Sequence, residues 1–93
     1  MMKLIVEFLG PSRRLAQTRE TTLEVADQAT FRDVLCQLAT RYPALVGTII
    51  LPPTFEISPA FMLNIDGRQA VDDLTAHPAE GQHLIIMVME AGG

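Results

Sequence analysis

Apolar and polar residues alternate at the start of the chain. In residues 3–9 (KLIVEFL), Leu4, Val6 and Phe8 fall on one face of an extended segment, and Lys3, Ile5, Glu7 and Leu9 fall on the other. Gly10-Pro11 breaks the pattern. Alternation returns with Thr21, Leu23 and Val25, which predicts a second strand over residues 20–25. The two strands would pair as an antiparallel hairpin, with a connection too long for a two-residue turn.

The period then changes. Phe31, Val34, Leu35, Leu38, Ala39 and Tyr42 recur at i, i+3, i+4, i+7, i+8 and i+11, one apolar stripe over three helical turns. Thr30 is a good N-cap and Asp33 has the capping-box spacing. Pro43 ends the helix near Tyr42. Residues 44–59 are apolar but broken by Pro52, Pro53 and Pro59, so an irregular connection with a short turn of helix is expected. Residues 60–67 (AFMLNIDG) read as a strand with Phe61, Leu63 and Ile65 on one face, closed by an Asp66-Gly67 turn. A short strand over 69–71, a loop and a Glu80-Gly81 turn follow. Residues 83–89 (HLIIMVM) are apolar on both faces, which places this strand in the middle of a sheet.

A hairpin, one main helix and then further strands exclude an alternating doubly wound fold and predict an α+β domain with a mixed four- to five-stranded sheet. A helix of about 18 Å covers one sheet face. Leu4, Val6 and Phe8 should meet Leu84, Ile86 and Val88 beneath it. With first and last strands adjacent and parallel, this is the β-grasp, or ubiquitin-like, architecture. Ile5, Met62, Ile85 and Met87 then lie on the face the helix leaves open, with His83 and Met89 beside them. Such a cluster is a candidate partner surface. The competing expectations are that residues 44–59 fold across it, or that the strand parity is shifted by one.

Composition narrows the function. A chain of 93 residues suits one domain, 1–93, and 48% hydrophobic with 19% charged residues is globular. No apolar stretch approaches a membrane span, and Glu7 interrupts the N-terminal apolar run, so no leader is expected. One cysteine, Cys36, allows no internal disulfide and suits a reducing cytoplasm. A net charge of −4 without a basic cluster argues against nucleic acid. His77 and His83 are too isolated for a metal site. Asp72-Asp73 reads as a solvated turn, Cys36 as an incidental residue rather than a sulfur relay, and Arg13, Arg14 and Arg68 as exposed arginines. No acid–base pair or activated nucleophile stands out, so the chain is not expected to be an enzyme by itself.

The last residues are MVMEAGG. Two glycines at two given positions arise by chance about 0.5% of the time. Glycine has no Cβ, so such a tail can enter a narrow active site. Extended, residues 90–93 span about 13–14 Å.

Together these stretches resemble the MoaD/ThiS sulfur carriers, the family that includes the small subunit of molybdopterin synthase. KLIVEFLGPSRRLAQ is similar to the family's first strand and following turn, TFRDVLCQLATRYPAL to its helix, MLNIDGR to its Leu-Asn strand, and EGQHLIIMVMEAGG to its turn, last strand and terminal Gly-Gly. Glu80-Gly81-Gln82 stands where the family has Asp-Gly-Asp, and Met89-Glu90-Ala91 where it has a more apolar approach to the tail. The resemblance implies a carrier with no permanently bound cofactor. Its C-terminal carboxyl, on Gly93, is adenylated by an ATP-using, E1-like activating enzyme and converted to a thiocarboxylate. Gly92, Ala91 and Glu90 form the tail. Ile5, Met62, Ile85, Met87 and Met89 bind partners, namely the activating enzyme and the synthase large subunit. A carrier for thiamine thiazole or another sulfur-transfer route, a protein modifier, and a plain β-grasp interaction module remain open as alternatives.

Overall fold

A computed structural model describes residues 1–89. Strand β1 (Met2–Phe8) runs into Gly10, whose φ of 60° and ψ of −131° suit glycine, and then into a helix the sequence reading did not anticipate, α1 (Pro11–Ala16). Gly10-Pro11 does end the strand, but Pro11 also stands in the first helical turn, where its missing N–H and fixed φ favour a helix start. Buried Ser12 locks α1 down, its hydroxyl 2.9 Å from Leu9 O and 3.1 Å from Ile86 O. Strand β2 (Glu20–Val25) pairs antiparallel with β1.

Helix α2 (Phe31–Arg41) begins on the expected capping box. Asp33 N donates to Thr30 Oγ1 and Thr30 N to Asp33 Oδ2, so two otherwise orphan donors are satisfied. Its stripe of Phe31, Val34, Leu35, Leu38 and Ala39 is buried, and Tyr42 caps its end with its ring edge-on to Phe8, centroids 5.2 Å apart. Residues 44–59 are more ordered than their prolines suggested. A 3-10 turn (Pro43–Leu45) leads to a two-stranded ribbon of β3 (Ile50–Leu51) and β4 (Glu56–Ile57). Strands β5 (Phe61–Ile65) and β6 (Gln69–Ala70) form a hairpin across Asp66-Gly67, both at positive φ, with Arg68 N donating to Ile65 O. The last strand is β7 (His83–Val88).

The main sheet has the order β2-β1-β7-β5-β6. β7 lies in the middle, parallel to β1 and antiparallel to β5. First and last strands are therefore adjacent and parallel, the β-grasp arrangement. Leu4, Val6, Phe8, Leu23, Leu63, Leu84 and Ile86 project from one face into a core shared with α2. Leu45, Ile49 and Ile50 join the same core, so the 44–59 segment packs on the helix side and does not close over the other face. Val88 departs from its expected place. Its parity matches Leu84 and Ile86, yet it is 45% exposed, because the core cluster ends before it. A Cβ built on Gly10 would lie 3.9 Å from its Cγ2.

The outer edge of β2 is not bare. Arg41 of α2 donates to Thr22 O and Thr21 Oγ1, and Gln37 donates to Glu24 O. Two edge carbonyls that could template another strand are thus occupied from within the chain.

Candidate functional site

The open face is assembled by register. On β1, Ile5 stands opposite Thr22 of β2 and His83 of β7, and Glu7 opposite Glu20 and Ile85. On the other flank of β7, Ile85 faces Asn64, and Met87 faces Met62. Strand alternation turns all of these away from the core, since Leu4, Val6, Leu63, Leu84 and Ile86 point into it. Ile5 is 37% exposed; Met62, Ile85 and Met87 are half-buried against one another and open to solvent. The structure therefore brings Ile5, Met62, Ile85 and Met87 together on one uncovered surface. Met89, 46% exposed, continues the ladder one residue past β7 through its N–H to Ala60 O. The tail positions, Glu90, Ala91, Gly92 and Gly93, lie outside the described residues.

Polar groups interrupt this apolar face in two places. His83 Nε2 is 3.0 Å from Glu7 Oε1, a pair that bridges the parallel strands at its centre. Asn64 is 93% buried, and among the described residues its Oδ1 has no hydrogen-bond partner. Neither Glu7 nor Asn64 was a candidate site residue from sequence, although Asn64 stands in the Leu-Asn pair quoted for the family resemblance. Both were reachable there, since Glu7 shares parity with Ile5, and Asn64 with Met62.

Met62 and Met89 also line a cleft of about 490 Å³ beside β4 and β5. Phe61, Leu63, Val71 and Leu74 supply its apolar wall, and Arg32, Asp72 and Asp73 its polar one. Arg32 is held there by donating from Nε to Thr54 O. The chain thus enters its last residues beside this cleft, at the end of the central strand.

The remaining candidates do ordinary structural work. Asp73 accepts from Thr75 N and Thr75 Oγ1, at 2.9 and 2.6 Å, and those hydrogen bonds hold its carboxyl below the usual aspartate range. His77 Nδ1 lies 3.1 Å from Ala29 O. Burial, helped by the Asp33 charge, pushes the Cys36 thiol up, which leaves less thiolate than a free cysteine would have. Arg13 donates from Nε to Phe8 O. Among the described residues no cluster of three His, Cys, Asp or Glu could hold a metal, and no helix is long and apolar enough to cross a membrane.

The sequence matches no protein-family model, and no curated protein is measurably similar to it. Its fold is nonetheless shared. SAMP1 of Haloferax volcanii, a small archaeal modifier protein, superposes with a TM-score of 0.81 at 22% identity, over 98% of this chain and 99% of that one. The HVO 2177 protein of the same organism is 26% identical, with a TM-score of 0.78 over 99% of this chain and 87% of its own. A Pyrococcus furiosus protein described as a candidate molybdopterin converting factor, subunit 1, gives 0.73 at 16% identity, over 95% and 98%. The architecture is the ubiquitin-like β-grasp.

Proposed function

We propose that the chain is a sulfur carrier of the MoaD/ThiS type, working as the small subunit of molybdopterin synthase. The observation that carries this reading is a Gly92-Gly93 sequence, four and five residues after Val88 at the end of the central strand, in a β-grasp whose uncovered face presents Ile5, Met62, Ile85 and Met87. The face docks and the tail reacts.

The chemistry starts from the carboxyl of Gly93. Ionised at neutral pH, it is a poor electrophile. The activating enzyme joins it to the adenylyl group of ATP and releases pyrophosphate. A sulfur donor then displaces AMP from the mixed anhydride, which leaves a thiocarboxylate. That sulfur is nucleophilic and passes to a pterin precursor in the synthase. Glu90 and Ala91 serve as spacer, and the two glycines let backbone reach the partner's reacting centre. In this scheme no side chain of this protein takes part in bond making.

Intact-mass analysis of the protein from cells with an active sulfur pathway tests the reading. The expected result is a fraction heavier by one oxygen replaced with sulfur, located at the C-terminus. Its persistent absence counts against the proposal, and co-purification with a thiazole-forming enzyme redirects it to thiamine.

One observation favours a second reading. The fold match to a small archaeal modifier protein supports attachment of Gly93 to lysines of target proteins. Ligation leaves an isopeptide remnant on those lysines, which peptide mass spectrometry detects. Lys3, exposed on β1, would be the only lysine for self-linked chains. Removing Gly92 and Gly93 abolishes both activities and spares a pure interaction module.

A further inference from the structure

β1 and β7 are parallel, so both finish at one end of the sheet, and the chain passes into its last residues there. Three of the six arginines gather at this same end. The backbone fixes them in place. Arg13 donates from Nε to Phe8 O at 3.0 Å, and Phe8 N donates to Arg19 O at 2.8 Å, so both are tied to the last residue of β1. The amides of Arg13 and Arg14 donate to Gly10 O, and Gly10 stands beside Val88, the last residue of β7. Arg14 and Arg19 are exposed, and among the described residues their side chains make no hydrogen bond or ion pair. Arg13 commits only its Nε.

The β5 side of this exit is unlike it. There Met89 borders the cleft with Glu56, Asp72 and Asp73, all exposed, and Arg32 is the one cation in the lining. On the β1 side the acids are Glu20, which follows Arg19, and Glu7, which stands opposite Glu20 and is held by His83. The chain as a whole carries a charge of −4. A group of arginines therefore runs against the general charge, and it does so at the base of the tail.

We propose that Arg13, Arg14 and Arg19 form a basic collar that docks on carboxylates of the activating enzyme, on one side of the pocket that takes Gly93. The inference rests on the carrier reading for the partner's identity. Apolar contact on the open sheet face is non-directional, and an extended tail can enter a pocket with the domain turned either way about it. Charge decides between the two. A guanidinium presents its donors in a plane that matches a carboxylate. The reversed approach would bring the partner's carboxylates onto Glu56, Asp72 and Asp73, and like charges reject it. Exposed charges act on encounter and register more than on final affinity. The signature is a salt-dependent KM with a kcat that holds.

Two measurements on the full chain test this. In the first, the adenylating enzyme of the same organism is assayed with wild type, with the double variant Arg14→Glu, Arg19→Glu, and with Arg68→Glu. Arg13 is left in place because its Nε supports Phe8 O. Arg68 lies in the β5–β6 turn, at the other end of the sheet, because β5 is antiparallel to β7. The KM for the carrier should rise about tenfold in the double variant, with kcat level and Arg68→Glu close to wild type. Added salt should raise the KM of wild type and leave that of the double variant flat. An equal rise in Arg68→Glu would reduce the effect to net charge and overturn the proposal. An unchanged KM in the double variant would overturn it while leaving the carrier reading intact. In the second, the protein is titrated at low salt with a capped oligoglutamate peptide and followed by NMR, with tripolyphosphate as the competing anion. The peptide should shift the Nε–H signals of Arg13, Arg14 and Arg19 and leave Arg68 unmoved. Shifts from tripolyphosphate with the peptide silent would assign the collar to phosphate and overturn the proposal. Movement of the same signals on removing residues 90–93, without ligand, would assign it to the chain's own tail and also overturn it. If wild type is never adenylated, the carrier reading fails, and the peptide titration still decides whether the collar takes carboxylates.

Discussion

The two faces of β7 are built from neighbouring residues of one strand, yet they have opposite fates. Leu84 and Ile86 are fully buried, while Ile85 and Met87, just as apolar, stay partly in water. Hydropathy does not separate them. What does is coverage: α2, the 3-10 turn and the β3–β4 ribbon all contribute to the core on one side. One face stabilises the fold by removing about 25 cal/mol of transfer cost per Å² buried. The other leaves its apolar area partly in water. The helices and the ribbon pack on one side of the sheet and leave the second side uncovered.

Truncation tests this contrast most sharply in the core. Ile86→Ala should lose about 2–5 kcal/mol of stability, because it removes transfer energy and opens a cavity beneath α2. Urea unfolding with unchanged m-value would report it. Thr30→Ala comes next. It strips the capping box from the covering helix and should cost about 0.5–2 kcal/mol, read as a lower thermal midpoint. Ser12→Ala removes the hydroxyl from the Leu9 and Ile86 carbonyls, the latter keeping Leu9 N as donor, and should cost about 0.5–1.5 kcal/mol by urea unfolding, loosening α1 against the end of β7. Ile85→Ala, on the open face, should change stability by only about 0.5 kcal/mol, while complex formation with the activating enzyme, followed by calorimetry, weakens markedly. If Ile85→Ala costs as much as Ile86→Ala, the face is not open and the comparison fails.

Much of this was readable in advance because local rules and the global fold agree. Alternation in β1, β2 and β7, the stripe of α2, the Thr30-Asp33 box and the Asp66-Gly67 turn each carry one unambiguous physical signal. The misses have physical causes. Pro11 breaks a strand and starts a helix equally well, so α1 was hidden in what looked like a turn. The β3–β4 ribbon has only two residues per strand, too few for a period to show. Val88 has the right parity for the core but stands past the end of it. At the candidate site, the apolar members Ile5, Met62, Ile85 and Met87 followed from parity. Asn64 did not, because an asparagine in a strand signals nothing until its oxygen is found buried without a partner.

By itself the sequence determined the periodicities, and through them which residues share a face, where the main helix starts and stops, and that a Gly-Gly pair follows the most apolar strand. Those properties are local, set by backbone sterics and by the repeat of each element. Tertiary structure alone decided that residues 44–59 pack on the helix side, that α2 side chains occupy the β2 edge, that Glu7 meets His83, and that Asn64 Oδ1 is buried without a partner among the described residues. Those depend on which segments, distant along the chain, end up within a few ångströms of each other, and no window of sequence holds that information.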